Sequence, residues 1–316
     1  MDNKWRNEHI KLDEILKSLF TSSNKVMLDF INNAFNEEYT YDTELVFENN
    51  EFPTCGFDMI RADMIIKVLG KKQVVYHVEF QTKKDADMAI RMFEYGFHKA
   101  KKEAEHQKNT EELYFPKQLV IYIEENNSIE DELNLLVVFP DGTEADYNVP
   151  VIKNWEYDAR KLIENKLYVL LPLQILKYRK KLEIIKSGNS ADKKEQLREL
   201  LNEAKKTAFV VAKEAGRLVD TNKLYDSDFD KLLSSVENLM EYLNRKYLND
   251  ENVRNEVRKM VKTLYDPLVE KRALERKAVE IAKNLLDMGM ETENIAKATG
   301  LDLKKIIEIK KCIDSK

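Results

Sequence analysis

The chain has 316 residues, 43% of them hydrophobic and 34% charged, with 52 Lys+Arg against 57 Asp+Glu and a net charge of −5. That is enough apolar material for a sizeable core, which excludes a wholly disordered chain, and the charge balance excludes a globally basic nucleic-acid coat protein while leaving local basic faces open. Only 8 Gly and 6 Pro are present, which excludes a collagen-like or linker-dominated chain. The length allows one large domain or two smaller ones. Cys55 and Cys312 lie far apart with no CxxC spacing, so neither a disulfide framework nor a cysteine-based zinc site is expected. The first six residues lead into no apolar run of signal-peptide type, and no stretch approaches the roughly 18 apolar residues of a membrane span. A cytoplasmic protein that engages no membrane is expected.

Residues 12–35 place Leu12, Ile15, Leu16, Leu19 and Phe20, then Val26, Met27, Phe30 and Ile31, at helical spacing. Thr21-Ser22-Ser23-Asn24 breaks the run and caps a second helix. From residue 57 to 80 the pattern changes. Residues 64–68 and 74–80 are rich in β-branched and aromatic side chains, with Gly70-Lys71-Lys72 between them, which reads as a hairpin. Residues 85–105 return to helical spacing through Met88, Phe93, Phe97, Ala100 and Ala104. Residues 118–124 suit a buried strand, 133–139 a second strand closed by Pro140-Asp141-Gly142, and 149–155 a third. The order predicts an α/β domain with a mixed sheet flanked by helices over residues 1–186.

After Leu173 the strand signal ends. Residues 177–186 gather Lys177, Arg179, Lys180, Lys181 and Lys186 against Glu183, and Ser187-Gly188-Asn189-Ser190 reads as a boundary. An all-α region is expected over 191–316, with helices at 193–219, 229–248, 251–265 and 268–288, interrupted once at Pro267. Short helices at 293–299 and 303–312 follow, with Gly300 between them. The dense alternation of charge along 193–219 and 229–265 suits a solvated bundle and a homo-oligomer contact.

The chemistry concentrates in the hairpin. Side chains alternate along a strand, so His77, Glu79 and Gln81 share one face while Tyr76, Val78 and Phe80 share the other. The apolar set is expected to face the core and the polar set a cleft. A three-residue loop at 70–72 pairs Leu69 with Gln73 and Asp63 with Glu79, setting their Cβ atoms about 4.5–5.5 Å apart. Two carboxylates that close repel unless a cation or a proton lies between them, and hard divalent cations favour carboxylates plus water. A two-residue turn would instead place Asp63 opposite an inward residue. In the following helix Arg91, Tyr95, His98 and Lys102 form one polar stripe.

The runs Arg61-Ala62-Asp63-Met64, His77-Val78-Glu79-Phe80-Gln81-Thr82 and 85–95 resemble the core of the PD-(D/E)XK nuclease superfamily. In particular they resemble the Rpn-type recombination-promoting nucleases, also labelled PD-(D/E)XK nuclease family transposases. The segments 154–156, 167–173 and 289–306 are similar to that group as well, so the resemblance covers most of the chain. It implies a restriction-endonuclease-like mixed sheet flanked by helices and metal-dependent endonucleolytic hydrolysis of DNA with Mg²⁺, or Mn²⁺ as a substitute, linked to recombination or mobile elements. Asp63, Glu79 and the Phe80 carbonyl would hold the metal, Asp63, Glu79 and Gln81 would be catalytic, and Arg91 and Tyr95 would contact substrate phosphate. Gln81 stands where the superfamily usually has lysine, and the Rpn-type group itself looks to carry glutamine there. Lysine supplies positive charge, whereas glutamine orients only by hydrogen bonds. The alternative is a nuclease-fold protein with a weakened site that holds DNA or a protein partner. Residues 293–312, with Ile295-Ala296-Lys297-Ala298-Thr299-Gly300-Leu301, resemble a helix-turn-helix in which Asp302 caps the second helix. That helix offers Lys304 and Lys305, which suit phosphates better than base edges. A helical hairpin that caps the domain is the other reading.

Overall fold

The computed structural model describes residues 12–48, 51–53, 59–61, 63–70, 73–107 and 111–314. The amino terminus, Cys55, Ala62, Lys71 and Lys72 lie outside the described residues. The described residues start with two helices, α1 (Leu12–Leu19) and α2 (Asn24–Ala34). Ser23 caps α2, its side chain accepting the backbone N–H of Val26, which relieves one of the orphan donors of a helix start. Eight strands follow among the described residues: β1 (Glu44–Phe47), β2 (Glu51–Pro53), β3 (Met59–Arg61), β4 (Met64–Leu69), β5 (Val74–Gln81), β6 (Lys117–Tyr122), β7 (Glu132–Val138) and β8 (Glu144–Lys153). Helix α3 (Met88–Gln107) connects β5 to β6.

Six strands form one mixed sheet in the order β1-β4-β5-β6-β8-β7, and β2 and β3 pair separately. β4 and β5 are antiparallel, β5, β6 and β8 run parallel, and β7 returns antiparallel along β8. The turn between β7 and β8 uses Gly142 at φ 84°, a left-handed conformation that glycine adopts without penalty. β7 ends the sheet and leaves Leu136, Val138 and the neighbouring Phe139 substantially exposed. The α/β expectation and the mixed sheet agree with this architecture. β1, β2 and β3 are additions to the sequence reading, and β8 begins five residues before the strand expected at 149.

Both faces of β5 are covered. Phe20 packs on Phe30 and Phe80, and Phe35 on Tyr76, with ring centroids 4.8–5.2 Å apart. On the opposite face α3 lays Met88, Met92 and Tyr95 over Val120 and Tyr122 of β6 and Val149 of β8. The expected open cleft on the polar face of β5 is therefore corrected: His77 is 0% exposed and Glu79 2%. Parallel strands inside an α/β sheet are covered on both sides, and a polar face survives there only when its groups are hydrogen-bonded.

Beyond the sheet come α4 (Ala159–Glu164), a 3₁₀ run (Tyr168–Tyr178), and helices α5 (Arg179–Ser187), α6 (Lys193–Asp220), α7 (Asp226–Tyr247), α8 (Glu251–Asp287), α9 (Thr292–Thr299) and α10 (Leu303–Asp314). Asp228 of α7 is 1% exposed and accepts from both the backbone N–H and the hydroxyl of Ser23, each at 2.7 Å, so one carboxylate ties the start of α7 to the cap of α2. The break expected at Pro267 is absent, and α8 runs through it as one helix. A proline removes one backbone hydrogen bond at about 3 kcal/mol, and the long helical flanks supply the cooperativity that carries the helix across. The chain divides into two compact units, Met1–Arg258 and Lys259–Lys316. In the second, Ala282, Ile295 and Ile306 form a small core, Gly300 ends α9 at φ 71°, and the Asp302 side chain accepts the N–H of Lys304 at the start of α10.

Candidate functional site

The register of β4 with β5 runs from Val68 opposite Val74 to Met64 opposite Val78. One further step sets Asp63 opposite Glu79, the pairing that a three-residue loop predicts. The two residues are tied crosswise. Asp63 Oδ2 accepts the Phe80 N–H at 2.8 Å, and Glu79 Oε1 accepts the Asp63 N–H at 3.2 Å. These bonds continue the ladder past the end of β4 with side chains in place of backbone carbonyls. The Gln81 carbonyl accepts the N–H of Ile123 on the β6 side. Backbone groups alternate sides along a strand, so the Phe80 carbonyl turns toward Asp63.

Glu79 is also the acceptor of a buried relay. His77 Nε2 lies 3.2 Å from Glu79 Oε1, and His77 Nδ1 lies 2.9 Å from Gln118 Nε2. The Gln118 amide is oriented at its other positions: its nitrogen donates to the Met92 carbonyl at 2.7 Å, and its oxygen accepts the Tyr147 hydroxyl. His77 Nδ1 is therefore an acceptor, Nε2 carries the proton, and His77 donates to Glu79. Burial pushes the His77 pKa down from 6.5 to about 3, against the opposing pull of the Asp63 charge. A neutral ring with one fixed tautomer suits an orienting role, as a lone histidine on a strand more often has.

Arg91 and Tyr95 come to the same face. Tyr95 stacks edge-on against His77 with centroids 5.4 Å apart, and its hydroxyl accepts from Arg91 Nη2 at 3.1 Å. Arg91 Nη1 donates to Asp85 at 2.8 Å. Burial raises the Tyr95 pKa, Arg91 opposes the rise, and the charges of Glu79 and Asp63 add to it, which places the phenol within electrostatic reach of both carboxylates. Of the predicted stripe, His98 stays beside Phe97. Gln81 is half-buried on the Glu79 face, two residues nearer the carboxyl end of β5.

The structure thus brings together Asp63, Glu79, the Phe80 backbone, Arg91 and Tyr95. It adds two residues that sequence reasoning missed, Gln118 and Asp85. Gln118 carries a readable signal, being the one uncharged polar residue that leads the apolar run of β6 and standing opposite His77 in register. Among the described residues no cluster of three or more His, Cys, Asp or Glu side chains has a metal-holding arrangement; the oxygen donors here are two carboxylates and a carbonyl. No family model matches the chain, and no curated protein or solved structure matches it.

Proposed function

We propose that the chain is a divalent-cation-dependent DNA endonuclease of the Rpn-type PD-(D/E)XK kind, acting in recombination or on mobile elements. The observation that supports this most is the crosswise pairing of Asp63 and Glu79 beside the Phe80 carbonyl. An all-oxygen donor set of two carboxylates and a carbonyl suits Mg²⁺, or Mn²⁺ in its place, with water or phosphate completing the shell. Such a cation, when bound, acidifies water and neutralises charge on the phosphate. His77, held by Gln118, fixes the Glu79 carboxylate. Gln81 offers an amide that orients a water without adding charge. Arg91, steadied by Asp85 and Tyr95, has further guanidinium donors for a phosphate oxygen. Assembly of copies through the helical carboxyl-terminal region belongs to the same proposal.

The test is nicking of supercoiled plasmid with Mg²⁺ or Mn²⁺. Wild type is expected to nick, and Asp63→Ala and Glu79→Ala to lose at least about 100-fold in rate while keeping native circular dichroism. Equal cleavage by Glu79→Ala and wild type overturns the proposal. One observation favours a second reading, a nuclease-fold module that holds DNA or protein without efficient cleavage: Glu79 is 2% exposed and already accepts from His77 and from the Asp63 amide. Cation-independent DNA binding with no nicking by wild type selects that reading.

A further inference from the structure

A second concave site lies in the first compact unit, where β6 and β8 end. Its volume is about 690 Å³, the size of a small-ligand pocket. Residues following β6 and β8, together with α4, the 3₁₀ run, α5 and α6, form its walls. Its charge runs against the chain's negative sign: Arg160, Lys177, Lys181 and Lys206 line it against Glu125 and Asp158. Asp158 is already engaged as the cap of α4, accepting the Lys161 N–H at 2.8 Å. Arg160 bonds Glu164, and Lys177 donates to the Tyr157 carbonyl. Lys181 and Lys206 form no ion pair among the described residues, so their ammonium groups are the ones that a ligand anion can meet.

The remaining walls are not those of a simple anion site. Trp155 lines the cleft and packs against the apolar cluster that holds Tyr95 and Tyr122. A half-buried indole held in place from behind is a stacking platform for a planar ring. Gln174 is 3% exposed, donates one N–H to Asn154 at 3.2 Å, and lines the cleft. An amide at a cleft wall carries both a donor and an acceptor, the pattern that pairs with a base edge. We infer that this cleft binds a nucleotide, its base against Trp155 and Gln174 and its phosphate between Lys181 and Lys206. β5, β6 and β8 are parallel, so the cleft opens at the same end of the sheet as Glu79 and Gln81. The nucleotide is either free or one unit of a DNA strand.

The experiment uses the full chain in EDTA, so that no cation-dependent step enters. Trp155 fluorescence and titration calorimetry follow the addition of dAMP, inorganic phosphate and a short oligo-dA. Saturable binding of dAMP or the oligonucleotide is expected. The exposed pair Lys181→Ala/Lys206→Ala is expected to weaken it at least about tenfold, the scale of losing two charge-assisted contacts, with unchanged circular dichroism. Trp155→Phe is expected to remove the fluorescence response. An oligonucleotide bound at least tenfold more tightly than dAMP assigns the site to a strand; equal affinity assigns it to a free nucleotide. Absence of saturable binding by both, wild-type affinity in the double lysine variant, or phosphate bound as tightly as dAMP each overturns the inference. Failed binding leaves the Asp63–Glu79 proposal standing, and failed nicking leaves this one standing.

Discussion

His77 stays neutral because its burial and the Gln118 amide outweigh the pull of the Asp63 charge. Gln118 donates to Nδ1, and water is excluded from a ring whose pKa lies near 3. The sign of the pH effect follows. Below pH 6.5 the unfolded chain takes up a proton that the folded chain refuses, so this group removes stability as pH falls from 6.5 toward 3 and has no effect above 6.5. Its largest slope is about 1.4 kcal/mol per pH unit. Urea unfolding at pH 7.5 and pH 5.0 checks it: wild type is expected to lose about 2 kcal/mol more between the two than His77→Gln. Equal losses show that His77 does not titrate in this way. At this scale the Asp63–Glu79 pairing was legible, because strand parity and loop length are local quantities. The burial of His77 and Glu79 was not. The alternation in His77-Val78-Glu79-Phe80-Gln81 reads like a solvated face, and only the amide of Gln118, on another strand, makes that face tolerable under a helix.

Helix α3 reaches β6 through Gly96. A Cβ there would sit 2.7 Å from the Phe115 ring and 2.9 Å from Gln118 Oε1. Gly→Ala inside a helix ordinarily gains up to about 1 kcal/mol, whereas forcing an extra methyl into a filled contact costs about 1–3 kcal/mol. The Phe115 ring is partly exposed and can swing, but Gln118 is fixed at both ends of its amide. Gly96→Ala is expected to destabilise the fold on balance and to lower nicking by disturbing the Gln118–His77–Glu79 relay. Denaturant midpoints and plasmid nicking measure the two effects, and a stabilised variant with full activity refutes the contact. The long elements were the most legible ones, since α6 and α7 repeat their apolar period over many turns. β1, β2 and β3 escaped notice because three- and four-residue strands show too few alternations to establish a period. Pro267 misled because a local breaker was set against the cooperativity of a 37-residue helix.

For the molecule as a whole, the net charge of −5 repels a polyanion at long range, so the proposed nucleotide binding rests on local cationic walls such as Lys181 and Lys206 and is expected to weaken with salt. Among the described residues no helix is long and apolar enough to cross a membrane. β7 sets a different property. Among the described residues it pairs with β8 alone, so its outer edge presents backbone groups with no strand beside them, and its sequence Glu-Leu-Asn-Leu-Leu-Val-Val has no lysine, arginine or proline to block another strand. With Leu136 at 52% and Val138 at 60% exposure, this edge is a template for uncontrolled stacking of copies at high concentration. Val138→Lys is expected to raise the concentration at which light scattering begins, with a change in folding stability within about 0.5 kcal/mol and unchanged nicking. Identical scattering onsets for variant and wild type move the colloidal weak point away from β7. The strand that ends the sheet thus ties the folded architecture to colloidal behaviour, since the same edge that needs no further partner in the fold can accept one from another copy.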